Sequence, residues 1–387
     1  MEPTVLEQKK SKAASPKSPT VLSRIRGGSP RIWYGFDAQG WFRSLTKNRF
    51  RMHLPGWYFA FFISLLSLNN TALRKLQDLL FDRRIRRLQL TSPPIFIIGH
   101  WRTGTTLLHE LLTLDSQFTY PNTYQCFAPN HFLLTERLNK RWLSFFLPQQ
   151  RPMDNMAVGL DRPQEDEFAL CIMGLPSPYE RMLFPNGDAW KPAYLSLDGF
   201  STSTIEQWKT TFVRFLKHIT YRNPGQIVLK SPPHTCRIKL LTQLFPEAKF
   251  VHIVRNPYRV IPSMLHMLRS LLSAYALQKP NFADLEEQVF NTFDYLYSKL
   301  EDGRTLLKPG QLHQLRYEDL IRDPLGEMEA VYRHLKLHGF EQALPALQAY
   351  VQRQADYKTN RYRPPAELQD RISERCAPVI KKYGYSG

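Results

Sequence analysis

Residues 95–112 read IFIIGHWRTGTTLLHELL. Four apolar residues make a short buried strand, Gly99 and Gly104 bracket a turn, and TTLLHELL opens a helix. Glycines permit the tight backbone path, and the amides of residues 103–106 then converge at a helix N-terminus, where the dipole also favours negative charge. Thr103, Thr105 and Thr106 add hydroxyls and Arg102 a permanent cation, so the stretch predicts an anion-binding loop. A loop that grips a nucleoside triphosphate follows its second glycine with lysine and Ser/Thr, the lysine serving the β and γ phosphates. Here Thr105 stands in the lysine's place. Nor is there a convincing acidic strand end nearby to hold magnesium. The second predicted strand ends in Lys230 and the third leads into Arg255, so side-chain cations, rather than a metal, are expected to neutralise the anion.

The chain around this loop alternates short apolar strands with helices. QIVLK (226–230) is followed by helical TCRIKLLTQLF, KFVHIV (249–254) by a helix from Pro257, and QLHQLR (311–316) by LGEMEAVYRHLKL. Such alternation predicts an α/β fold with a parallel central sheet covered by helices on both faces. Ligands of these sheets lie at the carboxyl ends of the strands, where all the motifs fall. About 125 residues separate the first two predicted strands, including IEQWKTTFVRFLKHI with Ile205, Trp208, Phe212, Phe215 and Ile219 on one stripe. An insertion at that end of the sheet is a natural place for acceptor recognition.

Three stretches, in order, resemble the sulfotransferases that use 3′-phosphoadenosine 5′-phosphosulfate (PAPS). GHWRTGTTLLHELL is similar to their 5′-phosphosulfate loop, with Arg102 where Lys or Arg is common. VRNPYRVIPS (254–263) resembles their 3′-phosphate motif, an Arg after a strand and a Ser eight residues on, here Arg255 and Ser263. RYEDLIRDP (316–324) resembles the segment whose Tyr packs near the adenine, here Tyr317. The resemblance covers roughly residues 93–385. LKSPPH (229–234), DRPQEDEFAL (161–170) and the ending APVIKKYGY look like the broad bacterial-type branch. The C-terminal Arg-Lys-Gly motif of the cytosolic enzymes has no counterpart, with Arg361 or Arg363 as substitutes for its phosphate contacts.

This resemblance implies a P-loop-like fold and in-line, metal-independent transfer of a sulfuryl group from PAPS to a hydroxyl, or less readily an amine, leaving adenosine 3′,5′-bisphosphate. Thr103, Gly104, Thr105, Thr106, Arg255, Ser263 and Tyr317 would then bind the nucleotide, Arg102 and the loop amides would hold the 5′-phosphate, and Lys230 would face the leaving oxygen. For the base two candidates stay open. The cytosolic enzymes place His two residues after the matching lysine, but Pro232 occupies that position; His234 is the nearest imidazole and ranks first. Glu165 ranks second, in the run Glu165-Asp166-Glu167, against the plainer expectations of a solvated face or an ion pair with Arg162. The rival readings are a P-loop kinase or NTPase, and a non-catalytic membrane-associated protein on the same fold.

Composition narrows the partners. With 52 Lys and Arg against 34 Asp and Glu, the 387-residue chain carries a formal +18 and favours anionic ligands or surfaces. Zinc-finger spacing, arginine-rich repeats and RNA-binding aromatic motifs are missing, so nucleic acid is not expected. Small-molecule, carbohydrate and lipid acceptors all remain open. Cys126, Cys171, Cys236 and Cys376 are scattered, giving neither a zinc pair nor a disulfide framework; a reducing, cytoplasmic setting is expected. Residues 1–30, rich in Ser, Pro and Lys, read as a disordered basic tail, 31–90 as an N-terminal helical extension, and 91–387 as the main domain. Within the extension, LPGWYFAFFISLLSL (54–68) is almost wholly apolar, yet its 15 residues fall short of the roughly 20 that span a bilayer. It reads as a buried core helix, with peripheral membrane contact as the alternative.

Overall fold

The computed structural model describes residues 32–143, 159–354 and 364–386. Five strands form one parallel sheet: β1 (Ile95–Ile98), β2 (Phe118–Thr119), β3 (Gln226–Lys230), β4 (Lys249–Val254) and β5 (Leu312–Arg316), in the order β2-β3-β1-β4-β5. Parallel neighbours need crossovers, and helices supply them, so β1 is buried at all four residues, as are Val228 and Leu229 in β3. The expected α/β class is present. Four strands lie where alternation placed them; β2, only two residues long, gives no alternation to read.

The strand order decides what can meet. β1 lies between β3 and β4, so the loop leaving β1 has the end of β3 on one side and the end of β4 on the other. Lys230 therefore approaches from one flank and Arg255 from the other, with Tyr317 beyond, at the end of β5. The helix Thr202–Arg222 buries Trp208, Phe212, Phe215 and Ile219, with Ile205 only half-buried near its start.

The N-terminal region comprises a 3-10 turn at Ile32–Gly35, a helix Ala38–Lys47, and one 34-residue helix Leu54–Arg87 beginning at Pro55, where proline's fixed φ suits a first turn. Trp33, Phe36, Trp41, Phe59 and Ile63 belong to the same core cluster as Ile98, Trp101 and Phe212. The core-helix reading of 54–68 holds for one side of the long helix, where Phe59, Ala60 and Ile63 are buried. Its buried side includes Gly56, Ser67, Asn70 and Gln77, while Leu54, Phe61, Leu68 and Leu79 lie in solvent. Asn70 donates to the carbonyls of Tyr34 and Phe36, and Gln77 donates to Asn130 O and accepts from Leu133 N. Buried amides need such partners. Among the described residues no helix is long and apolar enough to cross a membrane.

Candidate active site

The loop after β1 is held open by its backbone. Gly99 and Gly104 have φ of 147° and 98°, and Arg102 sits at 70°, a left-handed conformation uncommon for a residue with a Cβ. A methyl group at Gly104 would overlap the ring of Tyr317, so glycine is required there twice over. Thr103 turns inward, its hydroxyl donating to His100 O at 2.7 Å and its amide to the same oxygen at 3.3 Å; that hydroxyl braces the turn and does not face the concavity. The first amides of the helix Thr105–Leu112 have no intrahelical acceptor, by helix geometry. From the next strand end, the hydroxyl of Thr235 accepts from Gly99 N at 2.8 Å and donates to Gly99 O at 3.2 Å.

On the β4 side, the structure joins the three residues of the second and third motifs to the loop. Arg102 Nε donates to Ser263 Oγ at 2.8 Å, and Arg255 Nη1 to Arg102 O at 3.0 Å. The Arg255 guanidinium lies over the Tyr317 ring, 4.0 Å from its centre. Burial lowers the Arg255 pKa, and the Tyr317 phenol is raised by burial. Arg102 thus reaches towards Ser263 and not across the first turn of the helix. Two guanidiniums and a hydroxyl on one small surface suit a phosphate.

On the β3 side stands Lys230, almost fully buried. Its Nζ is 2.6 Å from Glu165 Oε1 and 3.4 Å from Thr106 Oγ1. The other oxygen of Glu165 accepts a hydrogen bond from Tyr179, whose own oxygen accepts from Trp101 Nε1 at 3.1 Å. Burial, and then the neighbouring carboxylate of Glu165, push the Tyr179 phenol well above its usual range, so it remains a donor. Glu165, Lys230 and Thr106 therefore form a line from the acid to the anion loop.

The acidic run distributes its three carboxylates to three partners, and the solvated-face expectation fails. Glu165 takes Lys230, while Arg162 pairs with Glu110 at 3.3 Å. Asp166 accepts from His234 Nε2 at 2.7 Å and from Ser231 Oγ at 2.9 Å. Burial by itself would raise the Asp166 carboxyl, but the charge and hydrogen bonds of His234 and Ser231 hold it below the usual carboxylate range. Glu167 takes a two-pronged pair with Arg237, at 2.5 and 3.1 Å, both side chains fully buried. His234 itself has no exposed surface and packs edge-on against Phe96, with ring centres 5.3 Å apart, and near Phe212. The structure places it in the core beneath the site, apart from the line of Glu165, Lys230 and Thr106.

Tyr179, Trp101 and Arg181 were not singled out by the sequence. Arg181 is buried between Trp101 and Trp190, 5.3 and 4.5 Å from their ring centres, and burial lowers its pKa to about 10. Tyr179 meets Glu165 from 14 residues away, out of the 3-10 turn Pro178–Met182, a separation no helical or strand period encodes. Arg361 and Arg363 lie outside the described residues.

Known proteins resemble this chain in sequence and in fold. A family model described as "Sulfotransferase family" matches residues 93–342. The omega-hydroxy-beta-dihydromenaquinone-9 sulfotransferases of Mycobacterium bovis and Mycobacterium tuberculosis are each 44% identical to this chain over 369 residues, 95% of both sequences. Two crystal structures share the fold. Sulfotransferase STF1 of M. tuberculosis has a TM-score of 0.62 at 19% identity, covering 94% of this chain and 100% of that one. Sulfotransferase STF9 of Mycobacterium avium has a TM-score of 0.67 at 17% identity, with 96% and 98% covered. A family match that runs from the anion loop past the last strand, with so similar a relative along nearly the whole length, places this enzyme in the sulfotransferase family.

Proposed function

We propose that the enzyme transfers a sulfuryl group from PAPS to the hydroxyl of a lipid acceptor, of the class of a hydroxylated isoprenoid quinone. The observation that carries this reading is Lys230, held between Thr106 of the anion loop and Glu165. The 44% identical relatives named for a dihydromenaquinone derivative support the acceptor class.

In this reading the β4 flank, with Arg102, Arg255 and Ser263, binds the 3′-phosphate, and Tyr317 borders the adenine. The amides and hydroxyls of Thr105 and Thr106 hold the 5′-phosphosulfate. Glu165 takes the proton of the acceptor hydroxyl as the new O–S bond forms. Lys230 moves from Glu165 to the bridging oxygen as the old S–O bond breaks, and the electron pair leaves on the phosphate of adenosine 3′,5′-bisphosphate. Pairing with Lys230 and Tyr179 orients the Glu165 carboxylate beforehand, and orientation of this kind is a large part of transfer catalysis. Atoms balance with no covalent enzyme intermediate.

The test is sulfuryl transfer from PAPS to a hydroxylated isoprenoid quinone, beside a simple phenol and a monosaccharide. Transfer to the lipid is expected, with a loss of about a hundredfold or more in Lys230→Ala. Absence of transfer to every hydroxyl, or full activity in Lys230→Ala, would overturn the reading.

A further inference from the structure

We propose that the outward face of the helix Leu54–Arg87 docks on an anionic lipid bilayer, with the helix lying in the plane of the interface. Its apolar residues occupy both sides, with Phe59, Ala60 and Ile63 facing the core. Ser67, Asn70 and Gln77 point into the protein, while Leu54 is 87% exposed, Phe61 60% and Leu79 82%. Scattered exposed leucines are ordinary on proteins, but a continuous apolar face is not. Here Leu54, Tyr58, Phe61, Leu65, Leu68, Leu76 and Leu79 follow one another at helical spacing, widened by Trp57, Phe62, Leu66 and Leu80. Phe42 and Phe50, ahead of the helix, are exposed as well, with ring centres 6.1 Å apart.

Charge identifies the occupant. Exposed Arg49 and Arg51 precede the face, Lys75 edges it, and the same stripe runs on into Arg83, Arg84 and Arg87. The helix has just two acids, Asp78 and Asp82, and both pair with Arg214 on the helix Thr202–Arg222. Residues 1–31 carry seven Lys and Arg against two Glu. An apolar band with basic ends matches acyl chains bordered by anionic headgroups, and aromatic rings gather where bilayers meet water. A second copy of the chain is the poorer partner, because either helix direction sets basic ends against basic ends. At 34 residues the helix is about 50 Å long, enough to lie along the surface.

The neighbouring helix Ala38–Lys47, whose Trp41 Nε1 donates to Ser64 Oγ of the long helix at 2.9 Å, also contacts the surroundings of the candidate site. Ser44 donates to Glu180 at 3.0 Å and Asn48 at 3.1 Å, and Lys47 pairs with the same carboxylate. Glu180 adjoins Tyr179, which holds Glu165.

The experiment is flotation of the full chain with vesicles of phosphatidylcholine alone or mixed with phosphatidylglycerol. The chain should float with the mixed vesicles, about tenfold less with neutral ones or at high salt. Phe61→Glu combined with Leu65→Glu should cut binding about tenfold or more, with an unchanged circular dichroism spectrum and thermal midpoint. A chain that stays with neither vesicle, or a double variant that floats like the parent, overturns the proposal. So does a dimer in sedimentation that the double variant dissolves, which would assign the face to a second copy. Equal binding to both vesicle types overturns the anionic surface. Sulfuryl transfer is not read in this experiment, so its outcome is separate from that of the proposed reaction.

Discussion

Glu165 and His234 lie in one short region of the fold yet have opposite surroundings. Glu165 reaches Lys230 and Tyr179 at the edge of the loop; His234 has both faces in the apolar core and its Nε2 on Asp166. Glu165→Gln keeps the shape but not the proton affinity, so kcat should fall by about 10²- to 10⁴-fold with nucleotide affinity little changed. Single-turnover rates beside calorimetric binding of adenosine 3′,5′-bisphosphate would check this. His234→Gln should instead lower stability by about 1–3 kcal/mol, by taking the imidazole away from Asp166 and from its packing on Phe96, while folded enzyme keeps most of its turnover. The reverse pattern would restore His234 as the base. The pKa class of an imidazole is legible in a sequence, but its access to solvent is not, and His234 has none. Arg255→Ala should weaken adenosine 3′,5′-bisphosphate by roughly tenfold to a hundredfold and adenosine 5′-phosphate much less. Equal losses, read by the same calorimetry, would reassign Arg255 to bracing the loop through Arg102 O.

At the scale of elements, the anion loop was legible because its chemistry is local. Two glycines, a strand before and a helix after suffice, and the backbone has positive φ at both glycines. Gly104→Ala should displace Tyr317 and with it the cation stacked on that ring, costing about 1–3 kcal/mol of stability and most nucleotide affinity. Thermal unfolding with and without nucleotide would show both effects. The run DRPQEDEF was harder to read, since its three neighbouring acids are separated by backbone direction, not by composition. Its last member makes a second test. Arg237→Met leaves Glu167 buried without its partner and should cost about 3–5 kcal/mol, measured by denaturant titration. The long N-terminal helix was legible as a helix from its spacing, but which side faces inward was not. Hydrogen bonds from Asn70 and Gln77 to distant carbonyls decide that, and the period of the leucines is the same either way.

For the whole molecule, the parallel sheet followed from alternation, whereas the edge strand β2 and the turn carrying Tyr179 depend on tertiary contacts. Acid should act on the entire fold at once. Burial depresses His100 and His131 to about 4, and His109, His218 and His252 to about 3. The unfolded chain takes up those protons near pH 6.5 and the folded one does not, so stability should decline as pH falls from about 6.5 towards 4. Thermal midpoints across that range would show the decline, and a flat profile would refute it. One more consequence follows from Glu180. Its carboxylate is satisfied by Ser44, Lys47 and Asn48, residues ahead of the region that the family model matches. A fragment starting at residue 93 would orphan that acid and lay open the core around Phe36 and Trp41. During synthesis the order is reversed: the outward leucines emerge from the ribosome before any strand exists to fold against, and a chain in that state needs either a chaperone or a lipid surface to wait on.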